Sequence, residues 1–231
     1  LENGKIKTAQ SFELGPLALQ DYHVLGKSKL EVIKLKLSKI NKSFPNKINS
    51  LFLVGGCWRG LAKIHMNLTN YPLKVLQGYK VLVKNFDPTL EFISNTKNSE
   101  LLQITSSSEE RVKLLPDACI VLKEIYEKFC PRELFFSGYG IREGIIFCQF
   151  NNEIKKLDPL LQACLYLEKN RSRYPGFGKI LFEWLLPIFP KIDNKQKKNF
   201  LAACYLHDTF WQAHPDYRSE VCFETVTGAN L

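Results

Sequence analysis

The chain has 231 residues, of which 45% are hydrophobic, so it can bury the core of one large domain or of two small ones. It contains no apolar run near the roughly 18 residues that cross a bilayer and no signal segment at its start, so we expect no membrane association. The seven cysteines are scattered without a CxxC pair, which is typical of free thiols in a reducing cytoplasm and disfavours a disulfide framework or a zinc site.

The net charge of +9 is concentrated in the first third of the chain. Residues 1–84 contain 14 Lys and Arg against 4 Asp and Glu, whereas residues 85–231 contain 18 against 19. This distribution favours a polyanionic partner, and the alternative is a lysine-rich soluble surface. No helix-turn-helix, RRM or zinc-finger signature is present, so nucleic acid is a disfavoured partner.

The first predicted elements are a hairpin and a long helix. Residues 2–5, ENGK, are typical of a hairpin turn, and residues 5–14 predict its returning strand. Since a hairpin also needs an outgoing strand, we expect the chain to be part of a longer protein. A helix is predicted up to about residue 42. Its buried stripe is expected to consist of Leu30, Ile33, Leu37 and Ile40.

Strands and helices then alternate up to about residue 150, which predicts an α/β fold. The strands are predicted at 51–54, within 73–83 and at 133–137, and the helices at 58–69 and between 87 and 128. The strand at 51–54 is apolar throughout, as in a sheet that is covered on both faces. After a polar break near 151–157 only helices are predicted, at about 158–169, 177–189 and 194–207.

The stretch LFLVGGCWRGLAKI, residues 51–64, places two glycines between a strand and a helix. Glycine lets an anion approach the backbone closely, and the unpaired N–H groups at a helix N-terminus attract negative charge. Arg59, in the first turns of this helix, opposes the helix dipole and therefore calls for an anionic partner. Gly55, Gly56 and Arg59 are thus candidates for binding a phosphate group. The alternative is an ordinary strand–helix connection.

A second turn, SGYGIREG at residues 137–144, repeats this arrangement after the strand at 133–137. Arg142 is a second candidate for binding an anion, or else it pairs with Glu143 or another carboxylate. Both turns follow the carboxyl end of a strand, which is where an open α/β sheet places its ligand.

Four segments, in this order, resemble the exopolyphosphatase/guanosine pentaphosphate phosphohydrolase (Ppx/GppA) family: VGGCWRGLAKI, YPLKVLQGYKV, SGYGIREGIIF and LAACYLHDTFWQAHPDYRSE. The resemblance covers nearly the whole chain. It implies a partial actin-like, ribonuclease-H-like α/β domain over residues 1–152 and a helical HD-like domain, itself incomplete, over residues 153–231. It also implies hydrolysis of the terminal phosphate of inorganic polyphosphate or guanosine pentaphosphate, with Mg²⁺ as the cofactor.

The resemblance assigns roles to particular residues. The phosphate-binding residues would be Gly55, Gly56, Arg59, Ser137 and Arg142, and the cleft would be framed by Trp58, Glu143 and Gly144. The family's first phosphate loop, of the type D-x-G-G-G-S, and its water-activating glutamate have no counterpart in the sequence and are expected before Leu1. The catalytic residue is therefore unassigned, and we expect the chain alone to be inactive. A non-catalytic module that binds polyphosphate or a nucleotide is the alternative, and a homodimer is left open.

Two other signatures are weaker. His207 and Asp208 resemble an HD metal site, but residues 151–206 contain no histidine that could complete the ligand set, so we favour a structural role and assign no metal ligand. Cys57 lies only two residues before Arg59, whereas a cysteine phosphatase needs the spacing C-x5-R, so Cys57 is not assigned as a nucleophile.

Overall fold

The computed structural model describes residues 6–19, 28–40, 42–105 and 107–228, so the hairpin turn predicted at residues 2–5 lies outside it. The chain divides into two compact units, Leu1–Gly140 and Ile141–Leu231, which we describe one at a time. This division falls before the boundary expected after residue 152, and the domain assignment remains a prediction. No helix in the described ranges is long and apolar enough to cross a membrane.

The first unit combines helices with a three-stranded sheet of order β1-β3-β2. Its strands are β1 (Ser50–Val54), β2 (Tyr79–Leu82) and β3 (Glu133–Ser137). Its helices are α1 (Lys29–Ser38), α2 (Gly56–Leu68), α3 (Val83–Asn95), α4 (Asn98–Thr105), α5 (Glu109–Val112) and α6 (Leu115–Phe129), and residues 16–19 are helical as well. Strand β1 is parallel to β3 and β2 is antiparallel to it, so the unit is mixed α/β and mostly helical.

The main core lies on one face of this sheet. Because side chains alternate between the two faces of a strand, Leu134 and Phe136 of β3 are buried together with Leu53 of β1. They pack with apolar side chains of α2, α3 and α6. The other face carries Phe52, which is 63% exposed and stacks on Phe135 with ring centroids 4.9 Å apart. The expectation of a sheet covered on both faces is therefore wrong within the described residues.

The returning strand predicted at residues 5–14 is not observed in the described residues, whereas the strand predicted within 73–83 is present but shorter, as β2. Residues 6–14 have no ladder of hydrogen bonds, and residues 73–78 precede β2 as a loop. Gly78 has a φ of +74° and turns the chain immediately before Tyr79, where the pairing with β3 begins. Strand propensity alone is insufficient in both segments because a strand needs a hydrogen-bonded neighbour.

The stripe predicted for the first long helix is partly correct. Helix α1 buries Ile33 and Leu37, which pack against Val121 of α6, whereas Leu30 is 41% exposed. Val32 is buried in its place, so the buried face is rotated toward that residue.

In its described residues the second unit consists of helices and connecting loops, and the helices predicted at about 158–169, 177–189 and 194–207 are present, whereas the one at 141–149 was not predicted. Helices α7 (Ile141–Gln149), α8 (Pro159–Arg171), α9 (Phe177–Leu185), α10 (Asn194–Leu206) and α11 (Arg218–Gly228) follow one another. The side chain of Asp158 caps α8, and Asp193 forms a capping box with Gln196 at the start of α10.

Close packing of α8, α9 and α10 depends on Gly178. A Cβ at this position would lie 2.7 Å from the Cys204 carbonyl oxygen and 2.9 Å from the Cα of Tyr205. The Gly178 N–H donates to the Glu168 carboxylate over 2.6 Å, and this carboxylate is fully buried. Only glycine lets the three helices approach so closely.

Candidate anion-binding site

The two glycine turns lie at the same edge of the sheet. Val54 of β1 is paired in parallel register with Ser137 of β3, so Gly55 and Gly138 both follow directly at this edge. Strand β2 runs in the opposite direction, and the pairing of Tyr79 with Phe136 brings its beginning to the same edge. Each turn was predicted to follow the carboxyl end of a strand, and the pairing places Gly55 of the first turn and Gly138 of the second side by side in the first unit.

The two glycines of the first turn differ in their roles. The backbone conformation requires a glycine at Gly55, whereas Gly56 leaves room for a ligand beside the backbone. Gly55, the N-cap of α2, has φ +139° and ψ 166°, a conformation that is essentially limited to glycine. An added Cβ there would also lie 3.5 Å from Trp58 Cδ1. A Cβ on Gly56 would meet no atom within 4 Å. Gly56 therefore leaves the backbone open to a ligand.

The N-terminus of α2 offers unpaired hydrogen-bond donors. The N–H groups of Gly56, Cys57 and Trp58 find no acceptor among the described residues, while the Arg59 N–H donates to the Gly55 oxygen over 3.1 Å. No acidic side chain lies in the first turn of the helix. Unpaired N–H groups and the positive end of the helix dipole together favour an anion.

Two arginines supply positive charge near this turn. The Nε of Arg59 is buried and has no hydrogen-bond partner in the described part of the chain. Helix α5, which carries Arg111, packs against α2. Burial raises the pKa of the Cys57 thiol, and the charge of Arg111 opposes this shift. The raised pKa disfavours the thiolate, which agrees with leaving Cys57 unassigned as a nucleophile. Arg111 was not predicted, because only the folded chain brings α5 to α2.

Hydrogen bonds of the Ser137 hydroxyl and of the Gln77 side chain stabilise the second turn. The Ser137 hydroxyl accepts the Tyr139 N–H and lies 3.1 Å from the Tyr139 carbonyl oxygen. The Gly138 N–H donates to Gln77 Oε1 over 2.9 Å, and this oxygen is 3.4 Å from Ser137 Oγ. The hydroxyl of Ser137 thus stabilises the turn. Gln77 lies within the segment YPLKVLQGYKV, but nothing in its local sequence indicated this contact.

The remaining predicted residues belong to the second unit. Arg142, Glu143 and Gly144 lie in the first turn of α7. Arg142 is exposed and forms no ion pair with a described residue, so the alternative of a pair with Glu143 is not observed. A Cβ on Gly144 would meet no atom within 4 Å. Their contribution to the site stays a prediction.

A cavity of about 1030 Å³ lies beside the first turn, which forms part of its wall through residues 55–58. Its lining is mostly apolar and includes Leu14, Phe44, Phe52 and Ile125. Such a lining does not suit a phosphate chain, so the cavity itself is not assigned to the anion.

Carboxylates neutralise part of the basic excess in the first third. Ion pairs of 2.7 Å join Lys29 to Asp117, Lys36 to Glu13 and Lys80 to Glu133. Lys39 and Lys47 are exposed and form no ion pair with a described residue. If the chain attracts a polyanion at long range, exposed lysines without an ion pair, such as Lys39 and Lys47, would contribute most.

The His207–Asp208 pair makes structural contacts. The Asp208 carboxylate accepts hydrogen bonds from the Arg173 backbone N–H over 2.9 Å and from its guanidinium over 2.6 Å. The guanidinium hydrogen bond holds the pKa of Asp208 below its ordinary value. His207 Nδ1 lies 2.8 Å from the Cys204 carbonyl oxygen. No group of three His, Cys, Asp or Glu side chains in the described ranges could hold a metal ion.

Comparison with known proteins agrees with the resemblance. The sequence model of the Ppx/GppA phosphatase family matches residues 1–153. The structure resembles a crystal structure of the type II variant of the Aquifex aeolicus Ppx/GppA phosphatase, with a TM-score of 0.51 and 20% identity over 64% of this chain and 51% of that one. A second crystal structure, of the Aquifex aeolicus member of the Ppx/GppA family, gives a TM-score of 0.52 and 18% identity over 67% of this chain and 51% of that one.

None of the curated proteins matches the chain significantly. The chain spans about half the length of the two solved structures. At their low identity these structures show a shared fold, whereas the family is shown by the sequence match, which extends over well more than half of the chain. The chain therefore belongs to the Ppx/GppA phosphatase family.

Proposed function

We propose that the chain contributes the anion-binding part of a phosphoanhydride hydrolase that releases the terminal phosphate of inorganic polyphosphate or guanosine pentaphosphate. The observation that carries the proposal is the N-terminus of α2, where three N–H groups and the buried Nε of Arg59 have no hydrogen-bond partner among the described residues. Membership of a phosphatase family makes phosphate the fitting anion. The proposal includes the finer fold assignment, a partial actin-like domain over residues 1–152 followed by an HD-like helical domain.

The proposed role of these residues is to bind the phosphate group and to neutralise its negative charge. Transfer of a phosphoryl group spreads negative charge over its oxygens, so catalysis rests mainly on positioning and on donors that are aimed at that charge beforehand. The N–H groups of Gly56, Cys57 and Trp58 are fixed by the helix and need no rearrangement when an anion arrives. Arg59 and Arg111 add positive charge beside them.

The Mg²⁺ that the resemblance implies finds no set of three His, Cys, Asp or Glu side chains in the described residues, and no step is assigned to it. A water-activating carboxylate is likewise unassigned. The second candidate is a non-catalytic module that binds polyphosphate or a nucleotide. The two candidates differ in phosphate release but share the binding site.

Binding of polyphosphate tests the site. We expect Arg59→Ala to weaken binding about ten- to hundredfold, because it removes a charge-assisted hydrogen bond worth roughly 1.5–3 kcal/mol. The matched control is Lys128→Ala, which removes one positive charge near the end of α6, at the start of β3 and thus at the opposite edge of the sheet. Its effect should be small and should vanish as salt is raised. Equal affinities of Arg59→Ala and the parent chain would refute the site.

Phosphate release separates the two candidates. The non-catalytic module predicts phosphate release about 10²–10⁴-fold or more below that of an intact family member, which is the loss expected when a general base is missing. Release at an intact member's rate would show that the chain carries its own catalytic base. Measuring inorganic polyphosphate and guanosine pentaphosphate side by side identifies the preferred substrate.

A further inference from the structure

The second turn offers an anion a donor that sequence reasoning did not single out. We propose that Gln77 is an anion-contacting residue: its carboxamide oxygen fixes the Gly138 N–H, and its carboxamide nitrogen faces the ligand. This inference rests on the proposed function, because it adds a member to the same phosphate site. It concerns the first unit alone.

The hydrogen bond from Gly138 determines which way the carboxamide is oriented. A backbone N–H can only meet an acceptor, so the atom 2.9 Å from the Gly138 nitrogen must be the oxygen of Gln77. The NH₂ group then points away from the turn. No described residue accepts its hydrogens, and the nitrogen is not among the buried atoms that lack a partner, so it is reachable from solvent.

The backbone around Gln77 is held against the sheet. The Gly78 N–H donates to the Phe136 carbonyl oxygen over 3.2 Å, and Tyr79 begins the pairing of β2 with β3. Gln77 is therefore fixed at the edge of the sheet where Gly55 and Gly138 also lie. A side chain held in this way loses little further freedom when it binds a ligand.

Two other polar groups of the second turn are already engaged in hydrogen bonds. The Ser137 hydroxyl is engaged with Tyr139, and the Gly138 N–H is engaged with Gln77. Neither can receive an anion without giving up its present partner. Within the first unit, the NH₂ group of Gln77 is thus a donor that this turn presents to a ligand, whereas Arg142 belongs to the second unit and stays a separate prediction.

Two substitutions separate ligand contact from bracing of the turn. Gln77→Glu keeps an oxygen for the Gly138 N–H but replaces the outward donor by a charged oxygen that repels an anion. Gln77→Ala removes both functions. Gln103→Glu is the matched control, since it makes the same change of charge at an exposed position of α4.

The readouts are hydrogen exchange of the Gly138 amide, by NMR, and affinity for tripolyphosphate. Gln77→Glu should keep the protection of Gly138 and lose at least about tenfold in affinity, since a hydrogen bond to a charged group is lost. Gln77→Ala should lose both. Gln103→Glu should keep the protection and change affinity less than about twofold.

Arg59→Ala, measured in parallel, distinguishes the two ways of failing. If it loses affinity but Gln77→Glu binds as Gln103→Glu does, Gln77 only braces the turn and the inference is wrong. If the parent chain binds no tripolyphosphate, or Arg59→Ala binds as the parent does, the proposed phosphate site fails and the role of Gln77 fails with it.

Discussion

Replacing each glycine of the first turn by alanine should separate folding from ligand binding. Gly55 has a φ of +139°, which a side chain rarely adopts, so Gly55→Ala should destabilise the first unit. Gly56 lies at the first helical position outside that region, and its added Cβ would meet no atom within 4 Å. Gly56→Ala should therefore fold well, but its methyl group would occupy the space through which an anion approaches the N–H groups.

The two effects on stability have opposite signs. A side chain in the backbone conformation of Gly55 costs about 1–3 kcal/mol. Alanine at Gly56 stabilises by about 0.4–1 kcal/mol, because it reduces the freedom of the unfolded chain. For a chain of this size 1 kcal/mol shifts Tm by about 2–4 °C, so Gly55→Ala should melt about 2–12 °C lower and Gly56→Ala about 1–4 °C higher than the parent.

Circular dichroism melting and calorimetric titration with tripolyphosphate measure both properties. Gly56→Ala should lose at least about tenfold in affinity, or roughly 1.4 kcal/mol, despite its higher Tm. The control is Gly228→Ala at the end of α11, where an added Cβ also meets no atom within 4 Å and no effect on binding is expected. If Gly56→Ala binds as tightly as the control, the open space at Gly56 does not admit the anion, and the first turn only connects a strand to a helix.

Three further predictions concern stability. Burial lowers the pKa of His65, so the unfolding free energy should fall as the pH drops below the ordinary histidine pKa of about 6.5. Urea unfolding should show this loss of stability in the parent and a smaller loss in His65→Gln. Equal losses in the two proteins would refute the role of His65. Asp208→Ala should lower the free energy of unfolding by about 1–3 kcal/mol in urea, because the buried Asp208 pairs with the half-exposed Arg173. The metal content should not change. A bound metal that disappears in the variant would overturn the structural role of Asp208. Gly178→Ala should lower Tm, because the added methyl group would overpack against backbone atoms and destabilise the fold by about 1–3 kcal/mol. An unchanged Tm would show that α8, α9 and α10 can move apart to make room for it.

The sequence predicted the strand–turn–helix arrangement of the candidate site well. Apolar runs at 51–54 and 133–137, each followed by glycine, mark β1 and β3 within one residue of their observed ends. That both turns follow a strand's carboxyl end was thus predictable, but that β1 and β3 are parallel neighbours, which brings the turns together, is known only from the fold.

The parts of the site that depend on long-range pairing could not be predicted. Gln77 contacts Gly138 only because β2 pairs with β3 in a register that starts at Tyr79. The residues next to Gln77 in the sequence do not indicate this register. Arg111 lies on a helix of four residues, too short to show a periodic face. The open face of the sheet at Phe52 was missed because apolar composition shows what a strand can bury and does not show what covers it.

The claim that the N-terminus of α2 receives a phosphate group is tested most directly by ¹⁵N NMR of the 231-residue chain during a titration with tripolyphosphate. The amide signals of Gly56, Cys57 and Trp58 should shift together and saturate, and they should still do so at a salt concentration that suppresses shifts around exposed lysines such as Lys39 and Lys47. If the shifts occur only around those lysines, or disappear entirely as salt is raised, the chain attracts polyanions through its surface charge and the turn at Gly55 and Gly56 does not bind phosphate.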